Sequence, residues 1–315
     1  MATLPRRRLG TSDLEVSVMS LGSWRTFERI PREQGVAVMR AAQDAGIDFL
    51  DDARYDDESG TAPIPTGYSE VVFGEVFRAA GWERDEVTVA NKLWWEHWPE
   101  QSAAEELDAS LERMGLEHVD LIYAMPPPDG LEVADVVEQV SELLDSGRAS
   151  RWGTGMWTGA QLHAALDACE SSGVAGPVAA QMAHSLVDHA QSMDPSIVAA
   201  LDRGDIGLVA AYALAGGTLT GKYLRGEAGR AADDDGATAV SGRARAASVL
   251  SLAEAWGVPA SHVAFAYSLS HPNLSSVVFG ATSPEQLAEN VAAHTTFLAL
   301  TPAERAALTE LATTA

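Results

Sequence analysis

Residues 87–124 contain three runs in series. They are Val87-Thr88-Val89-Ala90-Asn91-Lys92, then a helical stretch from Ser102 to Gly115, then Val119-Asp120-Leu121-Ile122-Tyr123-Ala124. A β-rich run, an amphipathic helical run closed by glycine and a second β-rich run make one strand–helix–strand unit. The same alternation continues in both directions. Further β-rich runs lie at residues 16–21, 47–51, 151–155, 177–181, 206–212 and 275–279. Helical stretches of about 11 to 16 residues begin near Arg32, Ser69, Ser102, Val133, Thr158, Pro195 and Gly242, with one more after Ser283. Gly46, Gly81, Gly115, Gly147, Gly173 and Gly257 stand where helices should stop. Eight β-then-α units in series predict an α/β fold, a (β/α)8 TIM barrel, as a single domain over residues 1–315. No Gly-x-Gly-x-x-Gly follows a strand, which weighs against an open dinucleotide-binding sheet.

Composition narrows the function. Lys plus Arg number 21 against 45 Asp plus Glu, a formal charge of −24, with 46% apolar residues. Nucleic-acid partners need clustered cations to displace counterions, and anionic membranes need the same, so neither is expected. One cysteine, Cys169, excludes an intrachain disulfide framework and a cysteine-rich metal site. Three arginines, Arg6 to Arg8, open the chain without a following apolar run of signal-peptide length, and nowhere is there an uninterrupted apolar stretch long enough to span a bilayer. The chain therefore reads as a soluble cytoplasmic protein. Two connections exceed ordinary loop length, residues 56–67 and 222–241. The second carries Asp233-Asp234-Asp235, read as a solvated charge run rather than a cation site.

Barrel sites are assembled at the C-terminal ends of strands. Strand ends here supply Gly22-Ser23-Trp24, then Asp51-Asp52-Ala53-Arg54-Tyr55, then Asn91-Lys92 followed by Leu93-Trp94-Trp95-Glu96-His97-Trp98. A carboxylate, a phenol and an ammonium at adjacent ends can do proton chemistry. The Lys favours the phenolate and lowers the tyrosine pKa, while the carboxylate holds the Lys. The same three residues would equally make a structural ion pair beside a rim tyrosine, and spacing alone does not separate the two.

Further motifs carry a resemblance. They are Arg8-Leu9-Gly10, Gly46-Ile47-Asp48-Phe49-Leu50-Asp51, Ser69-Glu70-Val71-Val72-Phe73-Gly74, Leu111-Glu112-Arg113-Met114-Gly115 with Val119-Asp120-Leu121, Leu219-Thr220-Gly221-Lys222-Tyr223, and the run from Gly280 to Asn290. In this order, from Arg8 to Asn290, the chain resembles the aldo-keto reductases, which transfer hydride between a nicotinamide cofactor and a carbonyl without metal. The resemblance implies a catalytic tetrad of Asp51, Tyr55, Lys92 and a histidine. Tyr55 follows Asp51 by four residues where the family usually has five, so Tyr68 is an alternative donor. Met125 stands at the histidine position, ahead of Pro126, Pro127 and Pro128, and a thioether cannot donate to a carbonyl oxygen. His97 would have to swing in to replace it.

The resemblance also implies cofactor contacts. Gly22, Ser23 and Trp24 would face the cofactor. Gln181 would hold the carboxamide, although Gly155-Met156 replace the family's usual Ser-Asn. Tyr212 would stack on the nicotinamide, with Ala211 in the ungapped frame and a bulge as one way to reconcile them. Leu214, Gly217 and Lys222 would follow the pyrophosphate. Gly280, Ser283, Gln286, Glu289 and Asn290 would take the adenosine end, with Ser283 opening a helix whose free N–H groups suit a phosphate. NADP(H) is expected ahead of NAD(H), with Arg225 or Arg230 supplying the cation for a 2′-phosphate. Trp24, Trp94, Trp95, His97 and Trp157 would form the pocket for a small aromatic, apolar or sugar-like carbonyl or alcohol, two or three of the tryptophans packing beneath loops instead. Trp152 and Trp256 read as core. The outcome is an NAD(P)(H)-dependent oxidoreductase; the alternatives are a nucleotide-binding regulatory subunit with little turnover, and a non-redox enzyme reusing Tyr55 and Lys92.

Overall fold

A short hairpin opens the chain, β1 (Arg6–Arg8) pairing antiparallel with β2 (Glu15–Ser17). The computed structural model describes residues 4–58, 60–227, 229, 231 and 234–313. Strands and helices then alternate: β3 (Met19–Gly22), α1 (Arg32–Asp44), β4 (Phe49–Asp51), α2 (Tyr68–Ala80), β5 (Thr88–Leu93) and α3 (Ala103–Met114). They continue as β6 (Val119–Ala124), α4 (Val133–Asp145), β7 (Ala149–Gly155), α5 (Gly159–Ser172), β8 (Ala179–Ala183), α6 (Pro195–Gly204) and β9 (Gly207–Ala211). The chain ends with α7 (Ala237–Trp256), α8 (Ala260–Ser268), β10 (Leu274–Phe279), α9 (Pro284–Ala299) and α10 (Pro302–Thr313). Strands β3 to β10 form a closed parallel barrel in chain order, β10 pairing with both β9 and β3. This is a (β/α)8 barrel.

Local chemistry explains the helix starts. Ser102 and Glu105 form a reciprocal capping box on α3, Thr158 and Gln161 form another on α5, and Ser283 accepts the Gln286 N–H on α9. The barrel is filled rather than hollow. Phe49, Ala90, Leu121, Tyr123, Ala179 and Val209 share one buried cluster with Leu9 and Val16 of the hairpin, which plugs the N-terminal mouth. The polar chemistry is thereby left to the opposite end.

The structure alters several boundaries. The run at 16–21 is two strands, divided at Val18, because Ser17 gives its N–H to Asp48 Oδ1 and its hydroxyl to the Met19 carbonyl. The sixth barrel strand is Ala179–Ala183, two residues later than read. The helix placed near Gly242 begins at Ala237. Helix α8 was not anticipated: all nine of its residues are buried, so it has no polar face to mark a period. Nor was α10. Among the described residues no helix is long and apolar enough to cross a membrane.

Candidate active site

Three of the strand-end residues meet. Asp51 ends β4 and Lys92 lies on β5, and their side chains form a buried ion pair with Nζ 2.7 Å from Oδ2. Lys92 Nζ also donates to Tyr55 Oη at 3.1 Å, and Gln181 Nε2 on β8 donates to Asp51 Oδ1 at 3.1 Å. Since the Tyr55 oxygen accepts from lysine, its own proton remains available to an acceptor in the cavity above. Tyr68 is elsewhere: its hydroxyl accepts from Arg32 at 2.9 Å. The sequence argument that Lys92 lowers the Tyr55 pKa is corrected. Burial, then the charges of Asp51 and Asp52, push Tyr55 well above its usual value of 10.0, so it stays a neutral phenol.

The elements that carry these groups are pinned from behind. Ser69, at the start of α2, donates its hydroxyl to the Ala53 carbonyl at 2.8 Å and accepts the Tyr55 N–H at 3.4 Å. Glu70 is fully buried and ties Asn91 of β5 (2.9 Å) to Arg113 of α3 (2.5 Å). Gly74 lets α3 approach: a Cβ there would lie 2.0 Å from the Met114 carbonyl oxygen. The Ser-Glu-x-x-x-Gly motif is thus a clamp on the loop that bears Tyr55. Two further acids escaped the sequence reading. Glu106 of α3 accepts the Trp94 and Trp95 N–H groups at 2.7 and 3.1 Å. Asp52 accepts the Ser23 hydroxyl, and burial together with Glu70 pushes its carboxyl well above the usual range. Each interrupts an otherwise buried surface, the one signal that could have found them.

A cavity of about 370 Å³ opens over the cluster at the C-terminal face. Trp24, Tyr55, Trp94, Met125 and Met156 form part of its wall, and Gly22, Gln181, Tyr212, Leu214 and Gly280 line the remainder predicted for cofactor. Met125 does stand at the end of β6, its sulfur so close to Gly155 that a Cβ there would be 2.4 Å away. The backbone turns sharply at this rim. Arg25, Trp95, Met156, Tyr212 and Ala215 all have positive φ, at 51°, 62°, 58°, 60° and 46°. Such strain in non-glycine residues gathers where side chains must be aimed. It explains Tyr212. Strand β9 ends at Ala211 without a bulge against β8, and the left-handed turn swings the Tyr212 ring to 5.4 Å from Trp24. It also corrects the pocket. Trp95 and Trp157 are buried in the core, with Trp95 Nε1 on the Met125 carbonyl at 3.0 Å, and His97 is exposed in its loop. None of the three lines the cavity.

Residues 18–313 match the sequence pattern of the Aldo/keto reductase family. The chain belongs to that family. It is an oxidoreductase family whose members work with nicotinamide cofactors. A rice protein described as a probable voltage-gated potassium channel subunit beta is 30% identical, covering 94% of this chain and 93% of its own length. The Arabidopsis thaliana protein of the same description is 28% identical with the same coverage. A Schizosaccharomyces pombe protein described as a putative subunit of that kind is 29% identical, over 95% and 90%.

Several groups that an aldo/keto reductase cofactor would meet lie outside the lining of this cavity. A Cβ on Gly217, whose φ is +88°, would sit 3.0 Å from Lys222 Nζ, so this glycine keeps the ammonium close to the backbone. Lys222 makes no ion pair among the described residues; its ammonium lies 4.9 Å above the Tyr223 ring. Asn290 is buried and its Nδ2 has no hydrogen-bond partner among the described residues. These are donors suited to phosphate and base, and they fit the cofactor. Gln286 and Glu289 are engaged within the protein, by the Thr282 N–H (2.7 Å) and the Ser261 hydroxyl (2.7 Å). Arg225 pairs with Glu227 at 2.6 Å, and Arg230 lies outside the described residues. In the acidic run, Asp233 is likewise outside them, and Asp234 is 3.4 Å from Arg25, itself stacked on Trp24.

Proposed function

We propose that the chain is an NADP(H)-dependent oxidoreductase that interconverts a carbonyl and an alcohol on a small aromatic, apolar or sugar-like substrate. One observation carries this reading: the Tyr55 oxygen accepts from Lys92, leaving its proton to face the cavity. The cofactor, when bound, supplies or accepts the hydride. Tyr55 gives its proton to the substrate oxygen, and Lys92, held in place by Asp51, stabilises the phenolate left behind. Gln181 and Tyr212 attend the nicotinamide, Leu214, Gly217 and Lys222 the pyrophosphate, and Ser283, Gln286, Glu289 and Asn290 the adenosine. Trp24 and Trp94 wall off water. With Arg225 neutralised by Glu227, NADP(H) recognition leans on Lys222 and on backbone N–H groups. The test is NADPH oxidation with aldehydes, ketones and sugars, where Tyr55→Phe should lose about 10²–10⁴ in kcat.

A second reading, a nucleotide-binding regulatory subunit with little turnover, is favoured by Met125, which cannot donate where the family usually has a donor. The descriptions of the rice, Arabidopsis and yeast relatives agree with it. Tight NADPH binding with negligible turnover, and a protein partner recovered with the intact chain, would decide for it.

A further inference from the structure

The Lys92 ammonium carries three protons, and oxygen takes two of them: Asp51 Oδ2 at 2.7 Å and Tyr55 Oη at 3.1 Å. Its other neighbours are aromatic. Nζ lies 5.6 Å from the centre of the Tyr55 ring and 5.9 Å from that of Tyr123. Tyr123 is on β6, fully buried among the inward-facing residues, and takes no part in the cavity wall. Two residues before Met125, it occupies the same face of the barrel one step deeper. Its hydroxyl lies beside Gln181 and makes no other hydrogen bond among the described residues. The part of Tyr123 that meets the Lys92 ammonium is its ring.

We propose that Tyr123 is a positioning residue whose ring supports the Lys92 ammonium from the neighbouring strand, keeping it between Asp51 and Tyr55. A lysine side chain has several rotamers of similar energy, and two hydrogen bonds alone let it swing towards the barrel interior. The Tyr123 ring occupies that space and attracts the cation through its π-face. The kinetic consequence rests on the reductase reading; the positioning itself does not.

The composition provides a clean probe, because the chain has only two lysines, Lys92 and Lys222. Protein labelled with carbon-13 at the lysine ε position should give two signals, the one lost in Lys92→Arg belonging to Lys92. Ring currents should displace it upfield. Tyr123→Leu should move it back towards the free-lysine position, and Tyr123→Phe should restore it. Tyr123→Met replaces the leucine variant should that one fail to fold. In steady-state reduction the leucine variant should lose about tenfold in kcat with KM little changed, the rate equivalent of one desolvated cation–π contact, and phenylalanine should rescue it. A folded leucine or methionine variant with an unmoved Lys92 signal overturns the proposal. So does a phenylalanine variant displaced as far as leucine, because the hydroxyl would then be the active part. If the wild type shows no turnover at all, the reductase reading fails while the spectra still decide this one.

Discussion

Of the 21 basic residues, 19 are arginine and the two lysines are Lys92 and Lys222. A guanidinium could pair with the acids of the surface, and does so repeatedly, as at Arg148 with Asp108 and Arg203 with Asp167. What it cannot do is act as a compact ammonium against both a carboxylate and a phenol. Lysine is kept where Asp51 and Tyr55 converge and where Gly217 brings the backbone close, a compositional signal that reading the charge balance as a sum concealed. Met125 tests the cost of the missing donor. Met125→His places an N–H at the end of β6 against the same glycine, Gly155, and should raise kcat for carbonyl reduction by up to about 10²–10³. An unchanged kcat would mean that another donor already serves the oxygen. Asp51, Tyr55 and Lys92 were legible because strand ends set their height in the barrel. Trp95, Trp157 and His97 were not, since left-handed turns at Trp95 and Met156 decide which way the next side chain faces, and no composition rule foretells those.

At the scale of elements, α2 and α3 do more than cover the barrel. Through Ser69, Glu70 and Glu106 they hold the loops after β4 and β5, so the packing between them is felt at Tyr55 and Trp94. Gly74→Ala should therefore hurt twice. Its Cβ would press on the Met114 carbonyl and cost about 1–3 kcal/mol, read as a lower Tm. The same displacement should lower kcat more than it weakens NADPH binding, because most of the proposed cofactor groups follow β9 and β10 or lie on α9. Equal losses in both would show that the clamp does not reach the active site. Periodicity and glycine stops made the eight barrel units readable. The split of residues 16–21 depends on Ser17 and Asp48, 31 residues apart in sequence, and α8 is buried on every side. Tertiary hydrogen bonds and complete burial leave no local trace.

Over the whole molecule, buried histidines make stability fall as pH falls. His184 is pushed down to about 3 by burial, then by His271 and His189, and is stacked on Tyr267 at 5.0 Å. Unfolded, it would titrate near 6.5. Between those values the unfolded chain binds the extra proton, so His184 contributes its stability above about pH 6.5 and loses it as pH falls towards 3. Denaturant melts at pH 7 and pH 5 should show the lower pH less stable, and His184→Gln should flatten part of that slope; an unaltered slope would locate the acid sensitivity elsewhere. Most of the acids behind the charge of −24 lie outside the buried interior, which among the described residues holds Asp51, Asp52, Glu70 and Glu106. On the proposed reading, Lys92 and Lys222 are the two ammonium groups that serve an anionic dinucleotide. Paired measurements of NADPH binding and NADPH oxidation in the wild type and Tyr55→Phe test the role of Tyr55 most directly. Both proteins should quench NADPH fluorescence with similar Kd, and only the wild type should oxidise it at a measurable rate with an aldehyde or ketone. Binding by both with equal turnover, or binding with no turnover on any carbonyl, would contradict the assignment of Tyr55 as the proton donor of a working reductase.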